Sequence, residues 1–120
     1  MTPLAEPLRA FAFSLPEAWE DHPWGESVAK VGMKVFVFFG PADTDEPFGF
    51  SVKLPISNDE ALSMPFTVPT GYGLDRGNWV TARPPDDAPL DLLLAWIEES
   101  YRTVAPKALV AQLDAKRGGA

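Results

Sequence analysis

The sequence contains no cysteine, a single histidine and no long apolar run. Without cysteine the chain can form no disulfide framework, no thiolate metal site and no cysteine nucleophile, which fits a reducing compartment. Residues 1–6 lack the basic start and apolar stretch of a secretory signal, and no later segment approaches the length that spans a bilayer. These absences predict a soluble cytoplasmic protein with no membrane partner.

Basic side chains are outnumbered as well, with 10 Lys and Arg against 17 Asp and Glu and a formal net charge of -7. A field of this sign favours solubility and repels polyphosphates and anionic lipids. The acids gather in 17–26, in 43–46 and in the final third, whereas the predicted strands contain lysines and no acids. The total charge of this acidic chain therefore counts against nucleic acid, but the charge is unevenly distributed.

What the chain does contain is apolar: 46% of its 120 residues are hydrophobic, including 8 Phe and 4 Trp. This is enough to bury one core without disulfides or a structural metal. There is no internal repeat and no sign of a second domain. We therefore predict a single domain over residues 1–120.

A helical pattern opens the chain. Apolar residues at helical spacing predict an amphipathic helix over 3–14, which Pro16 ends. Residues 17–26 are consistent with a loop or with an irregular edge strand, because Pro23 and Gly25 interrupt them.

A tight hairpin follows this segment. Gly32 is the first of two turn residues and suits a type II′ turn, whose first central residue has positive φ. The arms of the hairpin are 27–31 and 34–39, and the period-two pattern of 48–54 predicts a third strand.

The next part of the sequence predicts a short helix between strands. Ser57 or Asn58 is the candidate cap of this helix, which continues through Met64, because its side-chain oxygen could accept from exposed amides of the first turn. A short strand from Thr67, followed by a loop or hairpin, leads into a last strand over 78–83.

The final third is helical. An apolar stripe from Leu90 to Val104 predicts the longest helix, with Asp87 as its candidate cap. Pro106 interrupts the stripe, and a last short helix stops at 118–119. The resulting order, α-β-β-β-α-β-β-α with short connections, favours antiparallel pairing and the α+β class.

Five ordered blocks carry a family resemblance. They are residues 21–25 (DHPWG), 30–36 (KVGMKVF), 69–72 (PTGY), 78–81 (NWVT) and 99–101 (ESY). Each block alone is weak, but their shared order and compatible spacing are specific. Over residues 8–104 the chain resembles the MmcQ/YjbR family of uncharacterised small bacterial proteins, and 105–120 would form a C-terminal helical tail.

The resemblance implies a fold similar to that of CyaY and of secretion chaperones, with helices packed on one face of an antiparallel sheet. Members of the family are labelled DNA-binding through a double-wing arrangement, which would make the hairpins of this chain its wings. The family's characteristic positions are matched by Lys30, Lys34, Lys53, Tyr72 and Trp79. The chain departs from the family pattern in 73–78, which contains an acid and lacks the histidine that commonly precedes the tryptophan.

Nucleic-acid binding is the first functional hypothesis. Basic side chains would neutralise phosphates while exposed aromatic side chains stack on bases. The basic set is Lys30, Lys34, Lys53, Arg76 and Arg83, and the aromatic set is Tyr72, Trp79 and Trp24. The competing interpretation is that lysines beside a hairpin serve solubility and edge protection. Ideal pairing also puts Lys30 and Lys34 on opposite faces, so they would not form one clamp.

A protein-interaction or small-ligand module is the second hypothesis. Apolar side chains lie on both faces of the predicted hairpin, around Trp19, Trp24, Phe36 and Phe38. One of those faces could bind a protein partner or a second copy of the chain. The alternative is that the helices and the C-terminal tail cover both faces.

Catalysis is the third hypothesis, with His22 as a general base or metal ligand beside Glu20 and Asp21. One histidine with adjacent acids lacks the spacing of a zinc motif, and no glycine-rich phosphate loop precedes a helix. The sequence therefore predicts no enzyme, no metal and no cofactor.

Structural roles account for the remaining signals. The acid pairs 98–99 and 86–87 are expected on the solvated side and at the N-terminal end of the longest helix, where negative charge is favourable. The residues expected to be structural are His22, Pro23, Trp24, Gly25 and Gly32.

Overall fold

Within residues 3–41, 48–71 and 73–118, which the computed structural model describes, six strands form one antiparallel sheet. The strands are β1 (Ala18–Asp21), β2 (Glu26–Val31), β3 (Lys34–Pro41), β4 (Phe50–Lys53), β5 (Thr67–Pro69) and β6 (Trp79–Ala82). The helices are α1 (Ala5–Ser14), α2 (Asn58–Leu62), α3 (Leu90–Val104) and α4 (Lys107–Gly118), and short 3-10 turns span Pro23–Gly25 and Leu74–Gly77.

The strand order across the sheet is β1-β2-β3-β4-β6-β5. Chain neighbours therefore pair, except that β4 pairs with β6 and leaves the short β5 at an edge. This confirms the α+β class and the predicted order of elements. Of the two alternatives for 17–26, the edge strand is the one that forms, because β1 pairs with β2 over all four of its residues.

The helices pack on one face of the sheet, as the family resemblance implies. Their buried residues join those of the strands in one apolar core, in which the Phe36 ring meets Tyr101 edge-on at 5.3 Å. The core residues include Leu8 and Ala12 of α1, Ala61 of α2, Leu93, Trp96 and Ile97 of α3, Leu113 of α4, and Ala29, Val37, Val52 and Val80 of the strands. None of the described helices is both long and apolar enough to cross a membrane.

We call the opposite side of the sheet the open face. Strand side chains alternate between the two sides of a sheet. Outside the β-bulges, the strand residues that lie between core residues therefore point to the open face. Pairing places Trp19 beside Lys30 on this face, and Phe38 beside Ser51. Ser51 in turn lies beside Thr81.

The β2–β3 hairpin has the predicted turn. Gly32 has a φ of +61°, and the only described residues other than glycine with positive φ are Glu17 and Asn78. Positive φ at the first central position alone is the signature of type II′. This geometry matches the right-handed twist of the two strands, so Gly32 has a structural role.

Both predicted side-chain caps, Ser57 or Asn58 for α2 and Asp87 for α3, are wrong. α2 begins after Ser57 without a capping bond from its side chain, because the Ser57 hydroxyl donates to Glu99 at 2.7 Å instead. The Asn58 amide donates to the carbonyl of Asn78. α3 begins only after Pro89, which has no side-chain oxygen, so Asp87 is not its cap.

The acids at 98–99 are more deeply engaged than their expected solvated position implies. Glu99 accepts from the backbone amides of Ile56 and Ser57 at 2.9 and 3.0 Å, which satisfies exposed donors before α2. Glu98 accepts from Arg102 and Arg117. These acids therefore bind α3 to the segment before α2 and to α4.

Candidate nucleic-acid interface

Two hairpin tips lie at the same end of the sheet. The Gly32–Met33 turn joins β2 to β3, and the Leu74–Gly77 turn precedes β6. Because β2, β4 and β5 run in one direction and β3 and β6 in the other, both turns and the end of β4 at Lys53 lie together. We call this region the hairpin end.

Three predicted cations converge on the hairpin end. Lys34 begins β3, Lys53 ends β4, and Arg76 belongs to the Leu74–Gly77 turn. In the part of the chain that the structure describes, none of these three makes an ion pair. Their charges are therefore available to an anionic ligand.

Together with Lys30 of β2, these three cations follow neighbouring strands across the sheet, and we call the four residues the row. β2, which carries Lys30, and β6, which follows Arg76, are separated by β3 and β4. At about 4.8 Å per strand, the row extends over roughly 14 Å. That length equals the rise of about four nucleotides along one strand of B-DNA.

Lys30 differs from the other three because it has partners. Its Nζ lies 2.7 Å from an Asp21 carboxylate oxygen and 5.3 Å from the centre of the Trp19 ring. The hydrogen bond from Lys30, helped by the backbone amide of His22, lowers the pKa of Asp21. The charge of Lys30 is therefore compensated within the fold.

The two lysines of the hairpin lie on opposite faces, as predicted. Lys30 pairs with Trp19 on the open face, whereas Lys34 pairs with Val31, a core residue on the helix face. Lys34 remains exposed because it is the first residue after the turn. These lysines can approach one ligand only from two sides of the hairpin end.

Arg83 does not join this group. It follows β6 at the far end, about 13 Å from the start of that strand at 3.4 Å per residue. A Cβ on Gly49 would lie 3.0 Å from its Cγ, so the arginine stem packs across that glycine. The structure thus separates Arg83 from the other predicted cations.

The expectation that Trp79 offers an exposed stacking surface is wrong. Trp79 is only 9% exposed, and its ring packs edge-on against Phe38 with the centres 5.1 Å apart. Lys53 and Gly77 lie beside the same ring. Tyr72 and the side chain of Trp24 lie outside the described residues.

No sequence pattern predicts the hydrogen-bonded hydroxyl groups near the candidate site. Ser51 and Thr81 share a hydrogen bond of 2.8 Å, and Thr81 and Thr70 share one of 3.0 Å. They form a polar chain across β4, β6 and the residue after β5. Their proximity depends on the crossover between β4 and β6, which no local spacing reveals.

The only histidine of the sequence belongs to a polar cluster beside α1. One Glu20 oxygen lies 3.1 Å from His22 Nε2, accepts from Ser27 at 2.6 Å and accepts from Arg9 at 2.7 Å. These hydrogen bonds, first that of Ser27 and then that of Arg9, lower the pKa of Glu20. Ser27 and His22 both contact the acid rather than each other, so the imidazole is not hydrogen-bonded to the serine. The cluster links α1 to β1 and β2.

Metal ligands do not converge in the described part of the chain, where no three His, Cys, Asp or Glu side chains form a group that could hold an ion. Around His22, Glu20 is the acid in contact with the imidazole, and Asp21 faces Lys30. The positions 22–25 lie in and before the 3-10 turn Pro23–Gly25.

The fold and the hairpin end define a class: a small α+β protein with helices on one face of an antiparallel sheet and two hairpin tips at one end. A family model described as YjbR matches residues 13–103. The chain therefore belongs to the YjbR family, and α4 lies beyond the matched region. No curated protein matches the sequence significantly.

Among solved structures, the chain is similar to a Deinococcus radiodurans protein whose crystal structure contains a DUF419 domain. The two share 24% identity and a TM-score of 0.66, over 94% of this chain and 79% of the other. At this identity the similarity supports the fold alone.

Proposed function

We propose that this chain is a DNA-binding protein that grips the phosphate backbone with its hairpin end. The observation that carries the proposal is the convergence there of three cations that form no ion pair among the described residues, in a chain with a net charge of -7. Elsewhere Arg9, Arg102 and Arg117 are neutralised by acids of the fold. Lys34, Lys53 and Arg76 have no such acid partner among the described residues, so their charge is not offset locally and can attract an anion.

The expected binding is weak and independent of sequence. Trp79 is packed against Phe38, so contact with DNA rests on charge rather than on base stacking. Three phosphate contacts would give a slope of log K against log salt near -3, at about -0.9 per contact. An acid is also present at this end, since Glu17 directly precedes β1, and its charge limits the affinity.

Fluorescence anisotropy of a labelled DNA duplex tests the proposal, with salt varied from about 50 to 200 mM. The variant K34A/K53A/R76A should bring the salt slope from about -3 to near zero. Its matched control is R83A/K107A/K116A, which removes three cations that have no ion pair among the described residues and belong neither to the two turns nor to β4. Both variants remove three positive charges, so the effect of the net charge on DNA affinity is the same in each. Any difference between them then reports the positions of the cations.

The control variant should retain the wild-type slope, because its three cations lie outside the row. Equal losses of affinity in the two triple variants would show that only the overall charge matters. A flat salt dependence of the wild-type protein would remove the proposal itself. The proposed role is binding rather than catalysis, and DNA as ligand is consistent with the predicted cytoplasmic location.

A protein partner is the second candidate, and it is favoured by exposed apolar side chains at the same end. Met33 is 83% exposed at the hairpin tip, and Ile56 is 86% exposed just beyond β4. Large apolar residues this exposed are typical of contact surfaces when they cluster. Sedimentation of the wild type and of M33S/I56S distinguishes the roles: loss of self-association with unchanged DNA binding supports a second copy as partner, and a monomer at all concentrations argues against one.

A further inference from the structure

Ser100 is a polar residue in the apolar stripe of α3, and it is fully buried. Its hydroxyl donates to the carbonyl oxygen of Phe36 at 2.5 Å and accepts from the backbone amide of Lys53 at 2.8 Å. One oxygen thus joins α3 to two neighbouring strands. A buried hydroxyl with both bonding directions satisfied is a fixed point in the core.

A bulge in β3 explains why this bridge is needed. Pairing with β2 shifts between Ala29, which faces Val37, and Lys30, which faces Val35. Phe36 is the extra residue, and it and Val37 are both buried on the helix face. A bulge interrupts the regular ladder and leaves backbone groups to be satisfied in another way.

The interruption falls at the hairpin end of the β3–β4 pairing. Direct pairing is confined to Val37 with Val52 and Phe38 with Ser51. The next two residues would be Phe36 and Lys53, whose carbonyl and amide are the groups that Ser100 bridges. The hydroxyl therefore replaces the missing backbone bond between these strands.

The bridge determines where Lys53 stands. On the side that faces β6, two contacts fix the end of β4. Lys53 pairs with Trp79, and the Leu54 amide donates to the carbonyl oxygen of Asn78 at 2.8 Å. On the β3 side Ser100 supplies the corresponding restraint. Phe36 is two residues from Lys34, so the same hydroxyl sets the spacing of two cations of the row.

We propose that Ser100 is a positioning residue for DNA contact, which holds Lys53 in line with Lys34 and Arg76. The inference rests on the proposed function. Ser100 touches no ligand and acts only through the backbone of Lys53. Its loss lets β3 and β4 adjust at the bulge and moves the Lys53 ammonium out of the row.

Salt-dependent DNA binding by S100A tests the inference, with S51A as the matched control. Ser51 is also a mostly buried hydroxyl on β4, but it bonds to Thr81 on the other side of the sheet. S100A should weaken binding about threefold and lower the magnitude of the salt slope by about 0.9, the value of one phosphate contact. S51A should leave the slope unchanged.

The double variant K53A/S100A separates positioning from general damage. If Ser100 acts through Lys53, then S100A causes no further loss of affinity in the K53A background. An equal loss in both backgrounds, or a wild-type slope in S100A, overturns the positioning role while the proposed function stands. A wild-type protein without salt-dependent binding overturns both.

Folding of the variant needs its own measurement, because S100A leaves two buried backbone groups without a partner. S100C keeps the side-chain volume with a much weaker hydrogen bond and provides the second test if S100A does not fold. Hydrogen exchange at the Lys53 amide should accelerate in either variant relative to S51A. Unchanged protection of that amide would also contradict the inference.

Discussion

The hairpin end and the contact between α3 and α4 differ in whether their cations are paired with acids. On the helical side, Arg102 bonds Glu98 at 2.8 Å and Asp114 at 2.7 Å, and Arg117 also binds Glu98. At the hairpin end, Lys34, Lys53 and Arg76 form no ion pair with any described residue. The same residue types therefore stabilise the fold in one region and remain available to a ligand in the other, and only their surroundings distinguish the two roles.

The pKa shifts follow this division. Burial raises the pKa of Glu98, but hydrogen bonds from Arg102 and Arg117 and their charges outweigh burial, so its pKa lies below the usual value. The hydrogen bond from Arg102 likewise lowers the pKa of Asp114. The acids of the helical side thus hold their charge firmly because arginines face them.

The largest effect on folding should come from breaking the helical network. R102A removes the partner shared by Glu98 and Asp114 and leaves Glu98 half-buried with one fewer donor. We expect the free energy of unfolding to fall by about 1–2 kcal/mol, because hydrogen bonds to charged groups contribute about 1.5–3 kcal/mol and partial exposure to solvent weakens these. Urea unfolding followed by circular dichroism measures the change.

K107A is the comparison for this variant, because Lys107 is exposed and has no ion pair among the described residues. It should change the free energy of unfolding by less than about 0.5 kcal/mol. If R102A and K107A prove equally mild, the arginine network contributes little to stability. DNA binding should be unchanged in both, because neither residue belongs to the hairpin end.

Acid sharpens the same contrast. The folded-state pKa of Glu98 is below the usual value of 4.5, so the contribution of its charge to stability is present above pH 4.5 and is lost as pH falls through the folded pKa. E98Q should therefore be less stable than the wild type near neutral pH, and the difference should shrink below about pH 4.5. Parallel stability curves in urea unfolding down to about pH 3 would contradict this assignment.

Local features of the sequence were sufficient for much of the fold. The turn at Gly32 and the apolar stripe of α3 are predictable because each depends on residues that are close together in the sequence. The caps failed for the opposite reason. Ser57 has a hydroxyl suited to capping, but Glu99, 42 residues away, takes its hydrogen bond.

The candidate site was only partly predictable. Charge alone indicates Arg76, and charge together with a match to the family pattern indicates Lys34 and Lys53; their convergence follows from the antiparallel strand order. The burial of Trp79 and the isolation of Arg83 required the pairing of β6 with β4, which no spacing reveals. Ser100 did leave a trace, because it follows Trp96 and Ile97 by four and three residues and is polar on a buried stripe.

The smallest expected effect comes from releasing Lys30 from its ion pair with Asp21. Lys30 would then resemble Lys34, Lys53 and Arg76, which have no ion pair among the described residues. D21N neutralises its acid, while the Asn oxygen can still accept from the His22 amide that Asp21 now binds at 2.8 Å. The freed lysine should raise DNA affinity about threefold and steepen the salt slope by about 0.9.

The control for this change is D86N, which alters the net charge equally at an exposed acid without a described ion pair. D86N should leave the salt slope unchanged, and adding K30M to D21N should abolish the gain. Equal gains from D21N and D86N would mean that repulsion by the whole chain, rather than the pairing of Lys30, limits binding. If only D21N raises the affinity, then Asp21 prevents Lys30 from making a fourth phosphate contact. The reason is that D21N, unlike D86N, removes the ion-pair partner of a lysine that already belongs to the row.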